Sequence, residues 1–324
     1  MTPDAIRSLV PIRCHYGPTA VMAYLILGER PSLIDSGGAR HPSAEIAAAL
    51  RERGVDLTAI DTIFHTHGHW DHSGGTAEIV AASGCRVAVH RAGVPFLRDV
   101  SAHLDGYATS AARSLGEHGM LANQRATFDQ LWGGPAEPDR LLADGDEVDL
   151  GDGVSLTVVA SPGHSDDHVA WWWEGEGVLI AGDAAQGTGS RPGSGPLYFA
   201  SVRDARASLA RLTTIPFASL HVSHPFGRLG ADERVTTFDA SAGRAFLARS
   251  VETLDLIEDA FDAAIAAQPG ESFPVVAREA TRRLVVGDRW PLRPDPTTGV
   301  PPNLAPTLHT LWRERGLEST ANGA

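Results

Sequence analysis

The residues best able to do chemistry lie in one short segment, residues 66–75, which reads Thr-His-Gly-His-Trp-Asp-His-Ser-Gly-Gly. Six consecutive positions of it contain four potential metal ligands, namely His67, His69, Asp71 and His72. Side chains alternate in an extended segment, so the first two His point the same way, while the Asp and the third His turn toward a second point. Gly74 and Gly75 allow the backbone to bend tightly and to start a helix behind the site. This register indicates metal binding, because no folding requirement explains it.

The segment resembles the H-x-H-x-D-H signature of the metallo-β-lactamase superfamily, and four further segments resemble other motifs of that family in the same order. Upstream, residues 33–37 (Leu-Ile-Asp-Ser-Gly) resemble the strand that ends in Asp-(Thr/Ser)-Gly. Downstream, residues 161–164, 179–183 and 222–224 resemble the segments that supply the third His, a bridging Asp and the last His. The similarity extends over about residues 15–230.

The resemblance implies a site for two divalent metal ions. The first ion would be held by His67, His69 and His164, and the second by Asp71, His72 and His224, with Asp183 bridging the two. Asp35 is similar to a carboxylate of the family that orients a ligand His from behind. Neutral imidazoles with two carboxylates suit zinc best, with manganese or iron possible.

Such a site predicts a hydrolase that attacks the carbonyl of an ester, thioester or lactone of a small molecule with a metal-bound hydroxide. Asp71 is the predicted catalytic residue, since it lies where it could accept the proton of the hydroxide. Residues beside the ligand loops are predicted to contact the substrate: Trp70, Tyr198, Phe199, Phe226 and Arg228. The segments are similar to the broad glyoxalase II and lactonase side of the superfamily, and no run of residues identifies one substrate.

Other functions compatible with the same family stay open at this point. An iron-dependent redox enzyme similar to persulfide dioxygenases would use the same ligands. A nuclease would need a basic surface, and a β-lactamase would need an export signal. A binding module without activity is disfavoured because the ligand set is complete.

The elements that must position these residues form an α/β fold, which we expect to be the four-layer αββα sandwich of this family. Alternating or apolar runs predict strands at residues 21–27, 32–35, 62–65, 86–90, 154–160, 168–173, 178–181 and 219–223. Helical spacing predicts helices at residues 44–53, 76–82 and 202–212. Each ligand would then lie at the end of a strand or in the loop after it.

Two segments are additional to this core. Residues 93–135 form an insertion with aromatic residues such as Phe96, Tyr107 and Phe128, which could be either a lid or an extra packing layer. Residues 1–235 would be the catalytic domain. Residues 236–324 would be a helical C-terminal extension that packs onto the core or forms a homodimer contact.

Four residues near the ligands have weaker predictions. Asp166 and Asp167 stand where the family usually has Pro-Gly. Either carboxylate could hold the loop or bind a cationic group, but we expect both to be solvated. His65 and His221 lie one residue out of phase with the ligands, and we interpret both as structural.

Composition limits the class of partner. The net charge is −13, whereas nucleic-acid binders need a basic surface, so we expect a small-molecule substrate and no nucleic acid. No stretch of eighteen apolar residues occurs, so no membrane span is expected. The first twenty residues do not resemble a secretory signal, because charged residues surround only a short apolar patch, and we therefore expect a cytoplasmic protein.

Overall fold

A computed structural model of the 324-residue chain describes residues 8–17, 19–104, 109–116, 125–126, 128–229, 231–286, 290 and 292–318. For residues 109–111 and 231–233 only the backbone is described. Tyr107 lies outside the described residues.

The first sheet has six strands, which follow one another in space as they do along the chain. They are β1 (Ser8–Tyr16), β2 (Thr19–Leu27), β3 (Ser32–Ile34), β4 (Thr62–Phe64), β5 (Arg86–His90) and β6 (Arg140–Leu142). Neighbouring strands are antiparallel from β1 to β3 and parallel from β3 to β6. β2 is apolar and buried over almost its whole length, as expected for a strand covered on both faces.

The second sheet also has six strands, in the order β12-β11-β10-β9-β8-β7. They are β7 (Glu147–Asp149), β8 (Ser155–Ala160), β9 (Val169–Trp173), β10 (Val178–Gly182), β11 (Ser219–Arg228) and β12 (Ala231–Asp239). All neighbours are antiparallel except β10 and β11. That parallel pair needs a crossover, which the helix at Val202–Thr214 provides.

Ten α-helices whose bounds lie entirely within the described residues surround the sheets. They are α1 (Ala47–Glu52), α2 (Trp70–Ser73), α3 (Thr76–Ser83), α4 (Val94–Arg98), α5 (Val100–His103), α6 (Thr109–Ser114), α7 (Val202–Thr214), α8 (Ala240–Ala267), α9 (Phe273–Val286) and α10 (Ala305–Glu314). A π-helical turn at Pro42–Ile46 leads into α1. Across these described residues, no helix combines the length and the apolar character needed to cross a membrane.

Apolar side chains of the two sheets pack against each other in the middle of the molecule. Phe64 of β4 and Trp171 of β9 meet there edge to face, with ring centroids 5.1 Å apart. The outer face of the first sheet packs against residues such as Leu50 of α1 and Ile79 of α3. The outer face of the second sheet packs against α7 to α10. The layers are therefore helix, sheet, sheet and helix, and the predicted αββα sandwich is confirmed.

Two of the longest strands, β1 and β12, were not predicted from the sequence. Both are edge strands of their sheets. β1 has Pro11, Arg13 and His15 at its exposed positions, and β12 contains several charged residues. Polar edge strands are common because they discourage pairing between molecules, and the same property weakens their sequence signal.

The C-terminal helices and the second sheet share one hydrophobic cluster. Leu220 of β11 and Ile257 of α8 are both buried in it, as is Leu308 of α10. β12 spans the position at which the sequence analysis divides the chain, since it pairs with β11 up to Asp239. The extension thus packs onto the core of the same chain.

Candidate metal centre

The motif segment leaves the first sheet at the end of β4 and enters α2. His67 and His69 lie in the extended part, and His69 is the residue that precedes the first turn of α2. Asp71 and His72 belong to that turn. The change from extended to helical backbone therefore directs the two pairs of side chains to two different points, as the spacing predicts.

The first cluster consists of His67, His69 and His164. His164 comes from the other sheet, in the loop between β8 and β9, and its Nε2 lies 2.9 Å from Nδ1 of His69. The ring of His67 is 4.3 Å from that of His69 and 4.9 Å from that of His164. Tetrahedral ligands at about 2.1 Å from a zinc ion are about 3.4 Å apart, so these three imidazoles are close enough to share one ion.

The second cluster consists of Asp71, His72 and His224. Asp71 Oδ2 lies 3.4 Å from His224 Nε2, and Asp71 Oδ1 lies 3.9 Å from His72 Nε2. The side chain of Asp71 is 13% exposed, more than the other two, so it faces the open side of the site. His224 was expected after the end of a strand at residues 219–223. It instead lies inside β11, whose register against β12 shifts between His221 and Phe226.

Asp183 lies between the two clusters. It follows β10, and its Oδ2 is 3.6 Å from His164 Nε2 and 3.4 Å from His224 Nε2. The same oxygen is 3.9 Å from His72 Nε2. One carboxylate therefore reaches ligand atoms of both clusters, which is the geometry that a bridging ligand requires.

Asp35 supports the ligand loop from behind and is fully buried. It accepts hydrogen bonds from the Thr66 amide and hydroxyl, both at 2.8 Å, and from His72 Nδ1 at 2.9 Å. Its φ of 61° places it in the left-handed region, a strained conformation that these bonds stabilise. Burial raises the pKa of its carboxyl, but the charge and hydrogen bond of His72, together with the nearby imidazole of His65, lower that pKa to about 2.

Each of three ligand His residues has its ring fixed by a hydrogen bond from Nδ1. His224 donates to the Ala20 carbonyl at 2.7 Å, and His164 donates to the Leu197 carbonyl at 2.6 Å. The Nδ1 of His67 lies 3.0 Å from the Thr66 hydroxyl, which itself donates to Asp35. Bonds of this kind leave Nε2 as the metal-binding nitrogen and set the orientation of the ring.

The chemistry of these residues fits divalent cations. In the described part of the chain, three buried atoms make no hydrogen bond, namely His67 Nε2, His72 Nε2 and Asp183 Oδ1. Burying a polar atom is unfavourable unless a bound ion or a hydrogen-bond partner satisfies it. Burial and neighbouring imidazoles hold the pKa of His67 well below its usual range, so this ligand is neutral. Burial lowers the pKa of His72, but Asp71, Asp35 and Asp183 raise it to about 10, which shows that a positive charge is favoured at this point.

Asp167 was expected to be solvated, and that prediction is wrong, since this carboxylate instead holds the loop, as the alternative interpretation allowed. The residue is 1% exposed, and its Oδ2 accepts a hydrogen bond of 2.6 Å from the amide of Gly68, between His67 and His69. Burial raises the pKa of its carboxyl. Asp167 thus joins the His164 loop to the motif loop, whereas its neighbour Asp166 is exposed as expected.

His168 is a second positioning residue that the sequence analysis did not assign. Its Nε2 accepts a hydrogen bond of 2.9 Å from the amide of Asp183, and its Nδ1 lies 2.9 Å from the Ser161 hydroxyl. Gly182 makes this approach possible, because a Cβ there would lie 2.6 Å from His168 Nε2. His65 and His221 contact hydroxyl groups of Thr76 and Thr237, consistent with their interpretation as structural.

The five predicted substrate contacts fall into two groups. Trp70, Phe199 and Arg228 are partly exposed, and the ring of Phe199 is 5.7 Å from that of His69. Tyr198 and Phe226 are only 1% and 2% exposed and belong to the cluster that includes the C-terminal helices. Side chains so deeply buried cannot contact a substrate in this arrangement, so the substrate surface proposed below leaves both out.

Comparison with known proteins agrees with this geometry. The family model described as "Metallo-beta-lactamase superfamily" matches residues 16–224, which include all seven candidate ligands. A hydroxyacylglutathione hydrolase of Methylococcus capsulatus is 28% identical over 213 residues, 65% of this chain and 64% of that protein. One of Rhodospirillum rubrum is 29% identical over 175 residues, 54% of this chain and 50% of that protein. The chain thus spans about half to two thirds of the length of these relatives.

Solved structures show the same fold at low sequence identity. A metallo-beta-lactamase family protein of Thermus thermophilus has a TM-score of 0.66 and 23% identity, with 95% of this chain and 93% of that chain covered. BJP-1, a subclass B3 metallo-beta-lactamase of Bradyrhizobium japonicum, has a TM-score of 0.53 and 22% identity, with 82% and 93% covered. The first of these matches extends through the C-terminal helices as well as the sandwich.

Proposed function

Because this chain belongs to the metallo-β-lactamase superfamily, we propose that it is a hydrolase that uses two divalent ions, best suited to zinc, to cleave an ester, thioester or lactone of a small molecule. The observation that carries the proposal is the position of Asp183, whose Oδ2 lies within 3.9 Å of His nitrogens in both ligand clusters. Nitrogen-rich ligand sets with carboxylates favour zinc over magnesium or calcium.

The protein's own residues would hold and orient this chemistry. Divalent ions bound here would lower the pKa of a coordinated water and polarise the substrate carbonyl. Asp71 would accept a proton on the open side of the site, where its side chain is partly exposed. Burial raises its pKa, but His72 and a hydrogen bond with His224 hold that pKa below the ordinary value, so the carboxylate is ionised. The Tyr16 hydroxyl donates to Asp71 Oδ2 at 3.3 Å and orients it.

Water exclusion and substrate orientation would come from the partly exposed side chains around the clusters. Trp70 precedes Asp71 in the same helical turn, and Phe199 packs beside His69 and His164. Arg228 ends β11, four residues after His224, and its pairing with a substrate carboxylate stays a prediction.

The relatives named hydroxyacylglutathione hydrolase support the inclusion of thioesters in the proposed substrate class. We extend the proposal to a small-molecule substrate and no nucleic acid, because the net charge of −13 disfavours polyanionic partners. A homodimer and a cytoplasmic location stay predictions.

A panel of aryl esters, thioesters, lactones and β-lactams, assayed with zinc-loaded protein, tests the proposal. We expect hydrolysis of at least one ester, thioester or lactone, and a loss of that activity in Asp183→Asn that a high zinc concentration only partly reverses. The exposed residue Asp166 provides the matched control, because Asp166→Asn should leave the rate unchanged. Full metal loading without turnover of any compound in the panel would contradict the proposal. Iron in place of zinc, with oxidation of a persulfide, would favour the redox alternative.

A further inference from the structure

Six aromatic side chains form a row of packed rings beside the metal centre, which we call the aromatic wall. In spatial order they are Tyr16, Trp70, Phe128, His103, Phe96 and Phe199. Successive ring centroids from Tyr16 to Phe96 are 5.3–6.0 Å apart. Phe96 and Phe199 then lie against the same ligand, with centroids 6.2 Å and 5.7 Å from that of His69.

The two ends of the aromatic wall reach the two ligand clusters. Tyr16 donates a hydrogen bond to Asp71 and lies edge-on to His224 of the second cluster, with centroids 6.3 Å apart. Phe199 lies 5.5 Å from His164 of the first cluster. A substrate whose carbonyl sits between the clusters would therefore place its adjoining groups next to these rings.

The rings of the aromatic wall differ in their exposure to solvent. Phe128 and His103 are buried, whereas Trp70, Phe96 and Phe199 are partly exposed. Apolar surface left partly exposed beside a catalytic site gains stabilisation when a ligand covers it.

The wall is held rigidly and carries no charge. A Cβ at Gly68 would lie 2.7 Å from Cβ of Phe96, so that ring packs directly on the motif backbone. His103 Nε2 lies 3.0 Å from the Phe96 carbonyl and fixes the same segment. Burial lowers the pKa of His103 to about 4, so its imidazole is neutral near pH 7. A rigid, uncharged surface favours an apolar ligand, because little ordering is needed on binding.

We propose that the aromatic wall binds the acyl group of the substrate and that this group is apolar, either an aliphatic chain or an aromatic ring. The inference rests on the proposed hydrolase function and adds the substrate class. The rings themselves offer no opposite charge to a charged acyl group, which would lose hydration against them, and an acetyl group would leave most of the wall uncovered.

The test is the rate of hydrolysis of p-nitrophenyl esters by the zinc-loaded protein. The series contains acetate, butanoate, hexanoate and benzoate, with the succinate monoester as a charged acyl group. Burial of one methylene accounts for up to about fourfold in affinity, so we expect kcat/KM to rise about twofold to fourfold for each added methylene. Phe96→Ala and Phe199→Ala should flatten this rise while metal content stays at the wild-type level. Trp312→Ala is the matched control, because Trp312 is a partly exposed ring that packs against Phe273 of the extension.

The outcomes separate this inference from the hydrolase proposal. A rise with chain length that Phe96→Ala and Phe199→Ala flatten, and Trp312→Ala does not, supports the inference. Hydrolysis at the same kcat/KM for every acyl group, or a preference for the succinate ester, overturns the acyl-binding role and leaves the hydrolase intact. If neither these esters nor any compound of the wider panel is hydrolysed at full metal loading, the proposed function fails and the inference fails with it.

Discussion

Asp71 and Asp183 are both carboxylates of the candidate metal centre, but their surroundings give them different roles. Asp183 is 6% exposed at its side chain and lies between the clusters, whereas Asp71 is 13% exposed and faces the open side. Asp71 also accepts a hydrogen bond from the Tyr16 hydroxyl, which lies 55 positions away along the chain. Asp183 is therefore suited to holding ions, and Asp71 to holding an ion and moving a proton.

Asp71→Asn keeps the shape of the side chain and removes the basic charge. At verified full metal loading we expect kcat to fall about a hundredfold or more with little change in KM, because proton transfer is needed mainly in the transition state. Asp183→Asn should instead lower metal affinity first, with activity partly recovered at high zinc concentration. A fully loaded Asp71→Asn protein that turns over at the wild-type rate would show that Asp71 accepts no proton.

Asp35 and His72 give the metal-free protein a defined dependence on pH. Asp35 has a pKa of about 2 against an ordinary 3.8, so its contribution to stability is present above about pH 4 and is lost as the pH falls toward 2. His72 has a pKa of about 10 against an ordinary 6.5, so its contribution is present below 6.5 and is lost as the pH rises toward 10.

We therefore expect the contribution of this pair to the free energy of unfolding to be largest between about pH 4 and 6.5. The free energy of unfolding in urea, compared between the metal-free wild type and Asp35→Asn at each pH, measures this contribution. Asn tolerates the left-handed conformation at this position, so the substitution tests charge rather than backbone strain. The difference between the two proteins should be largest in this window and shrink toward pH 2. A constant difference from pH 2 to pH 9 would contradict the assignment.

At the scale of elements, the site is assembled from loops of two different sheets. The motif loop belongs to the first sheet and the His164 loop to the second, and the hydrogen bond from the Gly68 amide to Asp167 joins them directly. Gly93 completes the contact, since a Cβ there would lie 2.5 Å from the Asp167 carboxylate. The distance between His69 and His164 thus depends on a residue that is not itself a candidate ligand.

Asp167→Gly should loosen this link and lower zinc affinity about tenfold to a hundredfold, the usual range when a residue that orients metal ligands is removed. Asp167→Asn retains an oxygen that can accept the hydrogen bond from the Gly68 amide, so this variant should keep most of the zinc affinity. Asp166→Gly removes the exposed neighbour and serves as the control. Competition with a chromogenic chelator measures the affinities. Equal affinity in Asp167→Gly and Asp166→Gly would contradict the positioning role.

The contrast between ligands and positioning residues explains what sequence alone could predict. His67, His69, Asp71 and His72 lie within one segment, so their spacing is visible without a structure. Asp167 accepts its hydrogen bond from a residue 99 positions away, and no local pattern distinguishes it from the exposed Asp166. Most strands were predicted within a few residues because apolar runs mark them, whereas the polar edge strands β1 and β12 carry no such signal.

At the scale of the whole molecule, the C-terminal extension stabilises the face of the sandwich that carries Asp183 and His224. Asp183 directly follows β10 and His224 lies in β11, and the outer side of β11 packs against α8 in the shared hydrophobic cluster. The insertion is joined to the extension as well, through a contact of 2.9 Å between Ser114 Oγ and His309 Nε2. These contacts predict that the sandwich and the extension unfold together.

Ile257→Ala, in the middle of α8, should lower the free energy of unfolding by about 2–5 kcal/mol, since it leaves a cavity in this cluster. The transition should stay single, with bound metal released at the same urea concentration at which the helices unfold. Val286→Ala is the control, because Val286 is 72% exposed and its truncation should change stability little. A separate early transition of the helices, with metal retained by the sandwich, would contradict a shared core.

The central claim is that seven side chains from both sheets hold two divalent ions, and metal content measured by elemental analysis tests it most directly. After zinc loading and removal of free metal, we expect about two zinc ions per chain in the wild type. His69→Ala and His224→Ala each remove a ligand from a different cluster, so each should retain about one ion. No bound metal in the wild type, or two ions in both variants, would contradict the claim.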